Sequence, residues 1–136
     1  MDNEHKFTQE QAEEEFSKYG GKFNNAEDVE TKILDKESKL TSIFKSAQKL
    51  APLWDDFVDT FSLIRDYVTG KYDEVPWRVI AGLAGALLYV LSPIDLIPDL
   101  VPILGFADDA AVFTLALKFF KPDIERYRQW KAKHPN

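Results

Sequence analysis

Between Arg78 and Asp95 runs the longest uncharged stretch of the chain, sixteen residues from Val79 to Ile94. Most of it falls in a helix over 76–91 that is apolar nearly all round, so that helix has to be buried, in protein or in lipid. Sixteen residues at 1.5 Å each reach about 24 Å, short of the roughly 30 Å of a bilayer's hydrocarbon. Gly82, Gly85, Ser92 and Pro93 also take positions that a span fills with large apolar side chains. Further on, Leu100 to Leu117 is interrupted by Asp108 and Asp109, each costing roughly 2.5–3.5 kcal/mol on insertion. The pairs Ala81/Gly85 and Gly82/Ala86 let a neighbouring helix approach closely, in lipid or in a tight core. The stretch predicts the buried centre of a helical core. A two-helix integral membrane hairpin is the alternative.

Around it the chain reads as helices. Thr8 with Gln11 forms a capping box, and Gly20-Gly21 a stop, giving a short acidic helix over about 9–19. Asn25 followed by Asp28 opens the next, whose apolar positions Val29, Ile33, Leu40, Phe44 and Ala47 make one face. Pro52 sits in a first turn. The helix after it carries a stripe of Trp54, Phe57, Val58, Phe61, Ile64, Arg65 and Val68, with Asp55, Asp56, Asp59 and Asp66 off the stripe, and ends at Gly70. A helix from about 106 to 120 comes after the Pro-rich connection 92–105. Pro122 opens the last one, with Ile124, Tyr127 and Trp130 on one side. No alternation of strand type interrupts the series. The fold class is all-α, a small bundle of about five or six helices.

Composition removes whole classes of function. The absence of Cys excludes disulfides, thiolate metal sites and thiol catalysis. The first residues lack the basic and apolar regions of a signal peptide, so a cytoplasmic protein, free or peripheral to a membrane, is expected. Net charge is −6, and acidic bulk argues against nucleic-acid binding. The charge is uneven: residues 1–74 hold 17 acids and 10 bases, whereas 75–136 hold 6 and 7. Within 118–133 six bases face only Asp123 and Glu125. Lys121, Arg126, Tyr127, Arg128, Trp130 and Lys131 are therefore the candidate surface for an anionic membrane or a protein partner. The same residues suit a C-terminal helix docked on a bundle.

Four aspartates punctuate the connection between the two apolar helices. Ser92, Pro93 and Asp95 read as N-cap, N1 and N3 of a turn, with the carboxylate facing free backbone N–H groups. Pro98 breaks the chain again, Asp99 can satisfy the following turn, and Gly105 allows a bend. Asp108 and Asp109 fall where a helix dipole favours negative charge. The sharper alternative gathers Asp95, Asp99, Asp108 and Asp109 as oxygen ligands for Mg²⁺ or Ca²⁺. No other cofactor is expected. His5 and His134 lie near the termini, away from any hydroxyl they could activate, and Gly82–Gly85 lacks the Lys and Ser/Thr of a phosphate loop. No catalytic residue is assigned.

These residues carry a resemblance. "RDYVTGKYDEVPWRVI", "LLYVLSPIDLIPDLVPILGFADDAAV" and "ERYRQWK" together resemble the YkvA-like family, a bacterial domain of unknown function (domain of unknown function 1232). Its motif S-P-x-D-L-I-P-D-x-x-P-x-x-G-x-x-D-D is met by Ser92, Pro93, Asp95, Leu96, Ile97, Pro98, Asp99, Pro102, Gly105, Asp108 and Asp109. The similarity covers roughly 53–131. It divides the chain into an acidic N-terminal helical extension, 1–50, and a YkvA-like helical domain, 51–136. The resemblance implies membrane association and no known activity. The expectation is a non-enzymatic helical module working through a protein partner or a membrane surface, its oligomeric state open.

Overall fold

The computed structural model describes residues 23–91 and 109–134. Among these, every regular element is helical: α1 (Ala26–Lys32), α2 (Glu37–Ser46), α3 (Trp54–Val68), α4 (Trp77–Leu91), α5 (Asp109–Phe119) and α6 (Lys121–Lys133). Short 3-10 turns at Leu34–Lys36 and Ala51–Leu53 join the first three. The all-α bundle is as expected. The expected helix over 9–19, the connection 92–105 and the expected opening of α5 at 106–108 lie outside the described residues.

The apolar run becomes the hub. Val79, Ile80, Leu83, Ala84, Ala86 and Leu87 of α4 are fully buried, and α1, α2, α3 and α5 all pack against this helix. A helix with no polar face is stable in water only when neighbours cover every side. Gly82 is where the packing is tightest. A Cβ added there would lie 2.5 Å from Phe120 Cζ, so the glycine admits the phenylalanine ring at the α5–α6 junction. Deeper in the core, Phe44 of α2 stacks on Phe57 of α3 at 4.4 Å and meets Phe113 of α5 edge-on at 5.1 Å. Three helices are thereby tied through one aromatic cluster. Phe23, Val29, Ile33, Leu40 and Phe44 belong to the same hydrophobic core as the later helices.

The local signals work as read. The Asn25 side chain accepts the Asp28 N–H at 2.9 Å and caps the first turn of α1, and the Asp28 carboxylate accepts the N–H of the preceding Asn24 at 2.8 Å. Gly70, at φ +86°, closes α3, and the N–H groups of Lys71 and Tyr72 turn back to the Asp66 carbonyl.

Two expectations are corrected. The face Val29–Ala47 suggests one helix, whereas the chain turns at Ile33 and passes through Leu34–Lys36 before α2 begins. No Pro or Gly marks this break. Ile33 stays fully buried through it, and the turn lets α1 and α2 reach α3 and α4 along separate paths. On α3, Val58 is 42% exposed although the stripe places it inside, and Asp66 is 4% exposed although the stripe places it outside. The helix buries a wider arc than one stripe because α6 covers its other flank.

Candidate functional site

The helix α6 docks on α3 through a polar seam. Its start is set by Pro122 in the first turn, where a missing N–H costs nothing. Ile124 and Tyr127, three residues apart on one face, then point inward at 2% and 1% exposure. The Tyr127 hydroxyl donates to Asp66 Oδ2 at 2.6 Å. With its only proton used there, the phenol oxygen accepts from Ser62 Oγ at 2.5 Å. Lys131 Nζ reaches the same Asp66 oxygen at 3.3 Å. Burial and the bond to Asp66 push the Tyr127 phenol well above its ordinary pKa, against a smaller opposing pull from Ser62. The phenol therefore stays protonated. A serine–tyrosine–aspartate chain suggests a proton relay, yet here the tyrosine and the aspartate are buried and the tyrosine is held as a fixed donor. What the chain of bonds accomplishes is docking.

Aromatic rings extend the seam. Tyr72 meets Tyr127 edge-on at 5.1 Å and Trp130 at 4.9 Å, and Trp130 stacks on His134 at 4.6 Å. The Tyr72 phenol is also raised, by burial and then by the charge of Glu74. One turn away Arg128 engages three carboxylates: Asp59 at 2.7 Å, Asp56 at 2.9 Å and Glu125 at 3.2 Å. Partial burial alone pulls the guanidinium pKa down, but the bonds to Asp59 and Asp56 outweigh it and hold the group above its ordinary value.

Beside this cluster lies an open groove of about 430 Å³ where the C-terminal half of α5 meets the start of α6 and α3. Leu117 and Ile124 supply apolar lining, and Thr114, Lys118 and Lys121 stand along it. Thr114 and Lys118, four residues apart, share one face of α5, and Lys121 comes to the groove from the first turn of α6. Both lysines are exposed and pair with no carboxylate among the described residues. The two acids at the groove, Asp56 and Glu125, are held by Arg128.

The expected surface thus divides. Lys121 is exposed, and Arg126 is exposed with an ion pair to Asp123 at 2.6 Å. Tyr127 is a core residue, Arg128 and Lys131 bind acids of α3, and Trp130 packs on Tyr72 and Tyr127. Of the motif, Ser92, Pro93, Asp95, Leu96, Ile97, Pro98, Asp99, Pro102, Gly105 and Asp108 lie outside the described residues, and Asp109 is the first residue of α5. Among the described residues no group of three or more His, Asp or Glu could hold a metal ion. Sequence reasoning missed Asp66 and Ser62. The signal was a chain with more acids on α3 than its own helix could pair, and an excess of bases waiting in 118–133.

A family described as a protein of unknown function (DUF1232) matches residues 79–115, which spans α4, the connection and the first half of α5. The uncharacterized membrane protein YkvA of Bacillus subtilis (strain 168) is 37% identical over 73 residues, 54% of this chain and 69% of that protein. The chain belongs to the YkvA-like DUF1232 family. The E3 ubiquitin-protein ligase RNF170 of Xenopus laevis is 54% identical over 41 residues, 29% of this chain but only 16% of the ligase. No solved structure matches. The name of the Bacillus relative bears on membranes, yet among the described residues of this family member no helix is long and apolar enough to cross one.

Proposed function

We propose that this DUF1232 protein is a non-catalytic helical module that attaches peripherally to an anionic membrane surface. The observation that carries the reading is the α5–α6 corner, where Lys118 and Lys121 stand exposed without acid partners among the described residues, beside a bundle whose central apolar helix is already covered by protein. With α4 enclosed, the described residues offer surface charge for attachment, and lysines near an anionic bilayer contribute about 1 kcal/mol each. The membrane-protein name of the Bacillus relative supports the same direction.

Co-sedimentation with vesicles tests it. Binding to phosphatidylglycerol-containing vesicles, absent with neutral phosphatidylcholine and weakened by added salt, is expected. Failure to sediment with anionic vesicles at low ionic strength removes the reading.

A further inference from the structure

We infer that the groove at the α5–α6 corner is a binding site for the phosphate-bearing headgroup of an anionic phospholipid. The inference rests on the membrane-surface reading and assigns it a specific place. A net charge of −6 makes the long-range field of the protein unfavourable to an anionic surface, and that field is screened beyond about 10 Å at 0.1 M salt. Attachment must therefore come from a local arrangement.

The groove has the required chemistry. Lys118, at the end of α5, and Lys121, at the start of α6, offer six N–H donors at the groove, with the Thr114 hydroxyl one turn before Lys118. None of the three is engaged by another side chain among the described residues. Arg128 pairs with Asp56 and Glu125 at the groove and with Asp59 beside it, so its single charge faces three carboxylates and the unpaired cations are the lysines. With Asp59 counted, the charges around the groove sum to zero, and an anion is held by direct contact with the two unpaired lysines. The partly exposed Leu117 provides the apolar side against which a glycerol backbone can lie. At about 430 Å³ the groove has the capacity of a small-ligand site.

Vesicle partition of the full chain distinguishes a site from diffuse charge. The variant Lys118→Ala/Lys121→Ala removes the two unpaired groove cations, and Lys36→Ala/Lys39→Ala removes two other exposed lysines, leaving identical net charge. The groove variant should lose roughly tenfold or more in partition onto phosphatidylglycerol vesicles. The control pair should lose less than about threefold, with thermal melts of both variants unchanged. Equal losses in the two variants overturn the groove while leaving peripheral attachment standing. No vesicle binding by the parent chain overturns both. Titration with sn-glycerol 3-phosphate separates the sources: lysine-dependent binding of it without vesicle binding reassigns the groove to a soluble phosphate ester and ends the lipid assignment.

Discussion

Tyr127 and Asp66, 61 residues apart in sequence, are joined by a 2.6 Å hydrogen bond that is closed to solvent at both ends. It makes the last helix part of the bundle. Removing one partner of a buried polar pair costs about 1–3 kcal/mol, because the other loses its bond without regaining water. Tyr127→Phe should therefore destabilise by about that amount in urea unfolding. Asp66→Ala should also be costly, and the double variant should cost less than the sum, with a coupling of roughly 0.5–3 kcal/mol. Strict additivity would mean the bond carries no energy.

The same phenol sets an alkaline limit. Tyr127 ionises above its ordinary value in the folded chain, whereas the unfolded chain ionises near pH 10. A folded pKa raised above the unfolded one gives stability that is whole below pH 10 and is lost as pH rises toward the folded value. The urea midpoint should fall above about pH 10 in the parent, and less steeply in Tyr127→Phe. Matching slopes in the two proteins would show that Tyr127 is not the titrating group. Tyr72, also raised, should contribute a residual slope.

Gly82 tests the close approach of Phe120. The missing Cβ leaves room for a ring that is itself 3% exposed and packed on Phe119, so the ring cannot swing away freely. Gly82→Ala should lower stability by about 1–3 kcal/mol through overpacking, despite the better helix propensity of alanine. Pairing it with Phe120→Leu should recover part of the loss. A stabilised single variant would place the ring elsewhere.

Thr60 offers the opposite sign. It is fully buried on α3, and its hydroxyl has no hydrogen-bond partner among the described residues. Replacing an unsatisfied buried hydroxyl with a methyl of the same shape removes a desolvation cost. Thr60→Val should be neutral or stabilising by up to about 1 kcal/mol in thermal or urea unfolding. A loss above that would reveal a partner for the hydroxyl.

The residues on which these experiments fall were unequally legible. The bounds of α4, the cap at Asn25, the first-turn Pro122 and the stop at Gly70 come from short-range rules, since helix periodicity, a missing N–H and a positive φ act within one or two turns. The burial of Val29, Leu40, Phe44, Phe57 and Phe61 comes from the same periodicity. The turn at Ile33 and the inward placement of Asp66 do not. Nothing near Ile33 breaks a helix, and an aspartate beside an apolar stripe reads as solvated until a tyrosine and a lysine arrive from the other end of the chain. Likewise the six bases of 118–133 read as one surface, while docking of α6 commits Arg128 and Lys131 to α3 and leaves Lys118 and Lys121 facing outward. Local chemistry dictates which segments are helical and which face is apolar. Which charge finds a partner depends on how the helices meet, because Coulomb and hydrogen-bond energies act over a few ångströms of space whatever the distance along the chain.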